Sequence, residues 1–490
     1  MRTSDGIKKN LLLTLILAAA CGCARNDQAV IFATARTRGR IWPHGAEGPE
    51  KAQTGGFAVL KNLYLRETLP KLIVDSGGWF SSTPEGFLTR GKSTIACMNA
   101  VPYSLAAAGM DDLSLPPREL CKLAATAGFP VLASNLYLKT NKKPGEFASY
   151  KLLQAGKHKI GFFSLIISNP ARPNRAKYLP SYKLEKETYE AGKAIKALKD
   201  AGAQMIVLLA NINPKTSAKP EFYREFLSRV PRIDLIITDD PAVKKPFKAN
   251  RSWIVRAGLG MEDAAKITLD IEPASGRLAK AHWEALPLPV KEYGQAPDVM
   301  KVARTYRAAA DAHFSKRIGF LSEALPLAEN GSSPVAEFAA DCIKTWAKAN
   351  AAIISVSEPA AGFSSGPVTV AGLYSAFPLD SSVVFVKIRG DDLESAIAGM
   401  PPSEISVSGL KLFLKDGALE RAETKTGPLV PAKAYHLAVP DSMVNGREHT
   451  VLTNAMEFAN SRRRLREIVG WCFSRKRTLS RPEGGRIVRN

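Results

Sequence analysis

The stretch Ala29-Val30-Ile31-Phe32-Ala33-Thr34-Ala35-Arg36-Thr37-Arg38-Gly39-Arg40 decides the fold of the chain. It begins with a short apolar run and continues into a loop that holds one glycine and three arginines. A short apolar run that ends at such a turn signal is typical of a buried β-strand. The same arrangement recurs in Leu72-Ile73-Val74-Asp75-Ser76-Gly77-Gly78, so we predict a second buried strand there.

Helical and strand-like patterns alternate through the first half of the chain. We predict helices over residues 116–127 and 184–201, because each is followed by a glycine and the first also begins with prolines. Apolar runs predict further strands at residues 130–135, 159–167, 205–209, 234–237, 253–255 and 266–271. Alternation of this kind is typical of a layered α/β domain.

The chain has 490 residues, which is enough for two or three domains. Its net charge of +22 favours anionic partners, namely phosphates, nucleic acid or an anionic membrane surface, although a basic surface can also simply aid solubility. The export signal described next and the lack of a nucleic-acid motif make nucleic acid the weakest of these partners. Basic residues cluster near the C-terminus, and from about Arg475 the composition predicts a disordered tail.

The N-terminus reads as a targeting segment. Lys8 and Lys9 precede the apolar run Leu11–Ala20, which is too short to span a membrane. Small residues then lead to Cys21 and Cys23, as in a bacterial lipoprotein signal. We therefore expect an exported protein of the cell envelope or periplasm, held to the membrane by a lipid on one of these two cysteines. A plain secretory signal is the alternative.

Four further cysteines are scattered through the chain without the Cys-x-x-Cys spacing of zinc or redox motifs. An oxidising compartment would permit a disulfide, but the sequence does not name the pair. Pro-rich residues 286–297 mark a domain boundary, and residues 298–315 predict a connecting helix. We expect a signal segment (1–23), a first domain (29–288), a linker with the connecting helix (289–328), a second domain (329–470) and a basic tail (471–490).

Several segments, in order, resemble the 5′-nucleotidase family. Besides the two loops quoted above, the segments that carry the resemblance are Phe129-Pro130-Val131-Leu132-Ala133-Ser134-Asn135, Lys159-Ile160-Gly161-Phe162-Phe163-Ser164-Leu165, Gly366-Pro367-Val368-Thr369 and Ile388-Arg389-Gly390-Asp391-Asp392-Leu393. The resemblance implies a calcineurin-like metallophosphoesterase domain, a layered β-sandwich flanked by helices. It also implies a smaller α+β C-terminal domain that binds the nucleotide.

The family holds two metals with Asp, His and Asn side chains, and the resemblance places other residues at those positions. Arg36 and Arg38 stand for the first Asp and His, beside the matching Arg40, and Gly78 stands for the bridging Asp. Replacements at the remaining positions are Met110 and Asp111 for the Asn and His of one loop, Asn211 for a later His, and Asp240 and Ala242 for two further histidines. An arginine cannot ligate a metal and stays protonated.

The oxygen donors near these positions leave a second possibility open. Asp111, Asp112, Asn211, Asp239 and Asp240 could form an all-oxygen site for a hard divalent metal, which would be the only cofactor we expect. Alternatively, these side chains are solvated loop residues or helix caps. The six histidines all fall outside the family's metal positions, and we interpret His158 and His282 as ordinary surface residues.

The second half departs from the family as well. The arginine that reaches the phosphate in active relatives is missing from Ser355-Val356-Ser357-Glu358-Pro359-Ala360. Phe363 and His449 are candidates for stacking on a base, or else packing and loop residues. We therefore favour a non-catalytic scaffold that binds a small anionic or nucleotide-like ligand through Arg36, Arg38 and Arg40. An active phosphoric-ester hydrolase with a rebuilt metal site is the alternative, so enzymatic activity stays open.

Overall fold

The computed structural model describes residues 26–43, 53–80, 83–167, 181–212, 220–329, 332–377, 381–444, 452, 454–475 and 478–489. Cys21, Cys23 and His449 lie outside the described residues, as does the expected signal segment. The chain divides into two compact units, Met1–Arg304 and Thr305–Asn490. The division falls inside a long helix, Pro297–Phe314, which covers most of the connecting helix that the sequence predicts.

The first unit contains fifteen strands among the described residues. They are β1 (Asp27–Ala35), β2 (Lys71–Asp75), β3 (Leu105–Ala107), β4 (Val131–Leu132), β5 (Leu136–Leu138), β6 (Tyr150–Ala155), β7 (His158–Ile167), β8 (Tyr182–Leu184), β9 (Met205–Ile212), β10 (Leu235–Thr238), β11 (Phe247–Ala249), β12 (Ser252–Arg256), β13 (Gly258–Leu259), β14 (Asp263–Ile271) and β15 (Leu278–Pro287). The strand predicted at residues 130–135 is shorter than expected and keeps only two residues.

Helices connect these strands. They are α1 (Phe57–Arg66), α2 (Pro84–Thr89), α3 (Lys92–Asn99), α4 (Pro117–Ala124), α5 (Glu187–Asp200), α6 (Pro220–Ser228), α7 (Val290–Tyr293) and α8 (Pro297–Phe314), with a 3-10 turn at Asp111–Ser114. Helix α5 shows why the sequence folds this way. Its buried residues recur at helical spacing on one face, and Gly202 follows its end with a φ of +84°.

Two large sheets form the first unit, beside a short two-stranded sheet of β5 and β8. One has the order β15-β14-β1-β2-β3-β4 with β13 beside β1, and the other has the order β11-β12-β10-β9-β7-β6. Strands β1 to β4 run parallel to one another, and so do β7, β9, β10 and β12. One apolar core holds side chains of both sheets, such as Ile31 with Phe162, while α5 and α6 supply the core on the other face of the second sheet. This is the layered α/β sandwich that the sequence predicts.

The second unit is a smaller α+β arrangement. Its strands are β16 (Arg317–Leu321), β17 (Ala351–Ser355), β18 (Gly366–Thr369), β19 (Ser382–Arg389), β20 (Ile405–Ser408), β21 (Lys411–Lys415), β22 (Ala418–Thr424), β23 (Gly427–Pro428), β24 (Ala434–Pro440), β25 (Glu457–Arg464) and β26 (Ile487–Arg489). Its helices are α9 (Pro334–Ala347), α10 (Val370–Ala376), α11 (Gly390–Ala398), α12 (Asp441–Val444) and α13 (Leu465–Arg475), with a 3-10 turn at Pro402–Glu404.

A five-stranded sheet, in the order β20-β17-β24-β19-β25, organises this unit. Helix α9 begins at Ser333, whose side chain accepts a hydrogen bond from the Ala336 amide, and Pro334 occupies its first turn. Its apolar face shares one core with Ile354 and with helix α13. A second core contains Ile353 and helix α11. The alternation of Ile353 and Ile354 between two cores is what a strand buried on both faces requires.

Two expectations from the sequence are wrong. The predicted disordered tail is ordered over residues 478–489, because Ile487–Arg489 pairs as a parallel strand with β21 and Arg486 forms a two-bond ion pair with Asp341 at 2.7 and 2.9 Å. His158 is a buried residue, only 4% exposed, and its ring hydrogen-bonds Asp27 at 2.9 Å. The residues flanking His158 read as a turn, which gave no sign that β1 would cover it.

Candidate functional site

The candidate site residues of the first unit lie at one edge of the two sheets, where parallel strands end. Arg36 follows β1, Gly78 follows β2, Asp111 follows β3, Asn211 lies near the end of β9 and Asp239 follows β10. The carboxyl ends of parallel strands are where open α/β sheets place their ligand crevices. We refer to this group of loops as the cleft.

The first loop of the cleft has an unusual backbone. Arg36 and Arg38 have φ angles of +50° and +49°, in the left-handed region that glycine favours. Their amides donate to the carbonyls of Gly77 and Gly78 at 2.8 and 2.9 Å, which ties this loop to the loop after β2. A left-handed non-glycine residue costs roughly 1 kcal/mol or more, so these bonds offset a real strain.

Gly78 leaves room for Arg36. A Cβ atom at position 78 would lie 3.0 Å from the Arg36 Cα and 3.5 Å from its Cγ, and Gly78 itself has a φ of +87°. A larger side chain at 78 would therefore meet the arginine that enters the cleft. Arg36 and Gly78, which the resemblance places at two aspartate positions of the family, are therefore sterically matched to each other.

The Arg36 guanidinium is held inside the cleft by two partners. Its Nε donates to the Asp239 carboxylate at 2.9 Å and its Nη2 donates to the Ile212 carbonyl at 2.8 Å. The Arg36 side chain is 11% exposed and that of Asp239 is 1% exposed, so this is a buried ion pair. Burial raises the pKa of Asp239 to about 6, against the lowering effect of the Arg36 charge.

Asn211 links this ion pair to the neighbouring loops. Its amide nitrogen donates to Asp239 at 2.6 Å and to the Ser76 carbonyl at 3.3 Å, and its oxygen accepts from the Met110 amide at 2.7 Å. Asp239 also accepts from the Ile212 amide at 2.6 Å. The positions where the resemblance expects Asn and His ligands are therefore tied into one hydrogen-bonded network.

Asp112 has a structural role in the cleft. Its carboxylate accepts from the amides of Gly78, Trp79, Phe80 and Gly109 at 2.8 to 3.2 Å. It is fully buried, and burial raises its pKa to about 6 despite these donors. Four amides on one carboxylate fix the loops after β2 and β3 against each other. Asp112 is therefore neither the solvated loop residue nor the helix cap that the sequence suggested as the alternative to a metal ligand.

Asp75 is a residue of this site that sequence reasoning missed. It ends β2, is fully buried, and accepts from the Thr34 hydroxyl at 2.6 Å, the Gly77 amide at 2.8 Å and the Trp79 indole at 3.0 Å. Burial raises its pKa to about 7. The available signal was a carboxylate at the end of an otherwise apolar strand, because such a group must find hydrogen-bond donors.

The other two arginines lie nearer the surface. Arg38 donates through Nε to Asp111 at 3.0 Å, with side chains 37% and 22% exposed. Arg40 donates to Glu262 at 2.6 Å and its side chain is also 37% exposed. Within the part of the chain that the structure describes, the two terminal nitrogens of Arg38 have no hydrogen-bond acceptor. Arg38 can therefore still offer donors outward, and so can Arg40, whose hydrogen bonds within the same ranges use only Nη1.

Two further candidates have different surroundings. Asp240 is 1% exposed and accepts from the Ala242 amide at 2.9 Å, so it caps its own turn. Phe363 is 6% exposed in the core of the second unit, where its ring lies 5.3 Å from that of Phe473 and 6.5 Å from that of Phe377. Stacking on a base would require Phe363 to leave this packing.

The described ranges contain no group of three or more His, Cys, Asp and Glu side chains arranged to hold a metal ion. A search of the same ranges finds no helix that is both long and apolar enough to cross a membrane.

Comparison with known proteins identifies relatives that match most of the chain. Residues 315–454 match the family model described as "5′-nucleotidase, C-terminal domain". Protein UshA of Yersinia enterocolitica is 20% identical over 423 residues, covering 75% of this chain and 76% of that protein. Protein UshA of Escherichia coli is 21% identical over 500 residues, covering 88% of this chain and 89% of its own length.

Solved structures share the two-domain fold. A putative 5′-nucleotidase from Staphylococcus aureus superposes with a TM-score of 0.74 at 13% identity, over 94% of this chain and all of that chain (100%). The 5′-nucleotidase precursor of Thermus thermophilus gives a TM-score of 0.67 at 19% identity, over 94% of this chain and 99% of that chain. These likenesses establish the fold, and the matched C-terminal domain adds the family. Residues 315–454 therefore belong to the 5′-nucleotidase C-terminal domain family, and the chain shares the two-domain fold of the solved 5′-nucleotidases.

Proposed function

We propose that this chain is a non-catalytic binding protein built on the 5′-nucleotidase fold. The single observation that carries this proposal is the buried ion pair between Arg36 and Asp239, 2.9 Å apart, at the edge where the family's metal site would lie. The guanidinium supplies positive charge to the cleft from within the chain. A carboxylate that is already neutralised by an arginine has little left to offer a metal ion.

The donor set does not fit a pair of metals. Arg36 is a hydrogen-bond donor without a lone pair, and a second cation beside it would be repelled. Both oxygens of Asp239 already accept hydrogen bonds, from Asn211 and Arg36 on one side and from the Ile212 amide on the other. Asp112 is similarly engaged by four amides. Recruiting either carboxylate for a metal would break the loops that form the cleft.

The departures from the family pattern compensate for one another, which supports a rebuilt cleft over a decayed one. Arg36 requires the missing side chain at Gly78, and its charge requires Asp239, which stands where the family loop has a glycine. Random loss of ligands would leave buried charges unpaired, at a cost of several kcal/mol each. Here the new charges are paired, so a stable cleft without metals is the simplest interpretation.

The ligand we propose is a small anion or a nucleotide-like molecule held by Arg38. Its outward nitrogens can make charge-assisted hydrogen bonds with a phosphate or carboxylate. The net charge of +22 favours the approach of an anion. Arg36, which the sequence analysis placed beside Arg38 as an anion ligand, serves in this proposal as an internal counter-ion.

Export to the cell envelope, with a lipid on Cys21 or Cys23, is part of the same proposal. It is supported by the apolar run Leu11–Ala20 that leads to these cysteines. A basic protein anchored in this way would stay close to an anionic membrane surface. Acyl labelling of the wild-type chain and of Cys21→Ser and Cys23→Ser variants in a bacterial host tests this part.

The decisive experiment combines turnover, metal content and ligand binding on one purified sample. We expect no phosphate release from AMP or a generic phosphate ester with Mn²⁺, Mg²⁺, Zn²⁺ or Ca²⁺, and no bound metal. We expect inorganic phosphate or AMP to bind, with an affinity that Arg38→Ala reduces and the equally exposed Arg40→Ala leaves nearly unchanged. Metal-dependent turnover that Asp240→Ala abolishes would instead establish the alternative, an active phosphoric-ester hydrolase with a rebuilt site.

A further inference from the structure

Two helices of the second unit bring a pair of cysteines together. Helices α9 and α13 pack in one apolar core, and the ring of Phe338 on α9 lies 5.0 Å from the ring of Phe473 on α13. Cys342 lies one helical turn after Phe338, and Cys472 precedes Phe473 in the chain. Both cysteines pack in this same core beside the two phenylalanines.

The Cys472 thiol is close enough to the Cys342 thiol to raise the pKa of Cys342. Cys342 is buried at 2% exposure and Cys472 is half-buried at the rim of the core. The remaining described cysteines differ in this respect. Cys97 is fully buried in the first unit, and Cys121, whose thiol interacts with Glu146, is half-buried there. Among the described cysteines, Cys342 and Cys472 are thus the two that lie in one core and interact with each other.

We propose that Cys342 and Cys472 form a disulfide bond that fastens helix α13 to helix α9. The bond would close a loop of about 130 residues, which contains most of the second unit. Cross-linking a loop of this size restricts the unfolded chain strongly. The inference rests on the proposed export only for the oxidising compartment in which the bond would form; the thiol chemistry itself is a property of the folded unit.

The reaction is a two-electron exchange with a disulfide oxidant, either a small-molecule disulfide or the active disulfide of a thiol oxidoreductase. The Cys472 thiolate attacks one sulfur of the oxidant and releases the other as a thiol. Cys342 then loses its proton, attacks the Cys472 sulfur and displaces the oxidant sulfur that is still bonded to it, which leaves as the second thiol. Two protein thiols become one disulfide, and the oxidant leaves as two thiols.

The order of these steps follows from burial. Burial raises the pKa of the Cys342 thiol well above its ordinary range, with the neighbouring Cys472 adding to the effect. A thiol with so little thiolate is a poor first nucleophile. Cys472 is the more accessible of the two and meets the oxidant first, while Cys342 acts only when the mixed disulfide is held directly beside it.

The test is residue-resolved alkylation of the full chain. The protein is incubated with oxidised glutathione, free thiols are blocked, and the chain is digested with trypsin. We expect a non-reduced linkage between the peptide that ends at Lys344 and the peptide Glu467–Arg475, with Cys97 and Cys121 found as free thiols. The assignment would be overturned if all four thiols, those of Cys97, Cys121, Cys342 and Cys472, stayed free, or if a different pair of cysteines formed the bond.

A stability measurement keeps the proposal testable if the oxidant reaches the thiols slowly. The oxidised wild-type chain should unfold about 10 °C above the reduced chain. Cys472→Ser should remove the redox dependence, and Cys121→Ser, also at a half-buried cysteine, should keep it. Equal melting temperatures for the oxidised and reduced wild type would overturn the disulfide. Catalytic activity or anion binding by the first unit would bear on the proposed function alone, so the two proposals can fail separately.

Discussion

The cleft contains two arginine–aspartate pairs that differ mainly in burial. The Arg36–Asp239 pair has side chains 11% and 1% exposed, and the Arg38–Asp111 pair has side chains 37% and 22% exposed. Their Nε–Oδ2 distances are nearly the same, 2.9 and 3.0 Å. Because the two distances are nearly equal, the pairs differ in energy mainly through their exposure to solvent.

Solvent screens the charges of the outer pair, Arg38–Asp111, whereas the protein shields the inner pair, Arg36–Asp239, from water. A half-exposed ion pair typically contributes less than about 1 kcal/mol, because both charges are also well solvated when apart. Removing one partner of a buried pair costs about 3–5 kcal/mol, because the other charge remains without solvation. We therefore infer that the inner pair stabilises the cleft and that the outer pair contacts the ligand.

Removing the inner arginine should have the largest effect. Arg36→Met leaves the Asp239 carboxylate buried without its counter-ion, and we expect a loss of about 3–5 kcal/mol in the free energy of unfolding. Urea-induced unfolding of the full chain measures this loss. Asp239→Asn and the double variant complete a cycle whose coupling energy isolates the pair. Arg38→Met is the matched control, and equal losses for the two methionine variants would contradict the comparison.

The buried carboxylates of the cleft should also make the stability of the chain depend on pH. Burial raises the pKa of Asp75 to about 7 and the pKa values of Asp112 and Asp239 to about 6, from 3.8. Between pH 4 and 7 the folded chain therefore binds more protons than the unfolded chain, and its stability should fall as the pH rises through this window. The contribution of Asp75 should disappear last, near pH 7.

Asp75→Asn tests this pH dependence without breaking an ion pair. The amide oxygen can still accept from Gly77 and Trp79, and the amide nitrogen can donate to Thr34, whose hydroxyl also contacts Tyr103 at 2.9 Å. Unfolding measured between pH 4 and 7 should show a shallower decline for this variant. Asp27→Asn is the control, since the pKa of Asp27 is lowered by its hydrogen bonds to Lys157 and His158 and its effect belongs below pH 4. An unchanged slope in Asp75→Asn would contradict the prediction.

The space beside the inner arginine should show a smaller effect. Gly78→Ala places a Cβ 3.0 Å from the Arg36 Cα at a residue with a φ of +87°, so we expect a loss of about 1–3 kcal/mol from strain and overpacking. Gly202→Ala is a matched control, because its φ is +84° and its nearest atom, the Lys159 Nζ, lies 3.9 Å away. Equal losses in urea-induced unfolding would indicate that the contact with Arg36 costs nothing.

The sequence predicted the strands whose ends form the cleft, because an apolar run followed by a glycine-containing loop is a local signal of a buried strand. It did not predict the pairing of Arg36 with Asp239, which lie 203 residues apart. That contact forms only when the two sheets pack against each other. Nor did the sequence reveal that Asp112 binds four amides. The sequence placed a carboxylate near the cleft, and only the folded loops decide what that carboxylate accepts.

Burial was also misjudged where local pattern and tertiary packing disagree. His158 follows a lysine in a turn, yet its ring is buried and hydrogen-bonded to Asp27. Phe363 follows a glycine in a polar stretch, and its ring packs against Phe473 from helix α13, which is the packing alternative that the sequence left open beside base stacking. In both residues the covering group comes from a distant part of the chain, so no periodicity in the neighbouring sequence could indicate it.

Removing the outer arginine should have the smallest effect on stability and the clearest effect on binding. Arg38→Ala breaks a half-exposed ion pair with Asp111, so we expect a loss of less than about 1 kcal/mol in urea-induced unfolding. The same substitution removes the terminal nitrogens of Arg38, which can donate hydrogen bonds outward from the cleft. We expect the affinity for inorganic phosphate, measured by calorimetry, to fall at least about tenfold, because a charge-assisted hydrogen bond contributes roughly 1.5–3 kcal/mol. Arg40→Ala, at the same exposure, should leave the affinity nearly unchanged. Equal weakening in both variants would mean that general positive charge, and not the geometry of the cleft, attracts the anion.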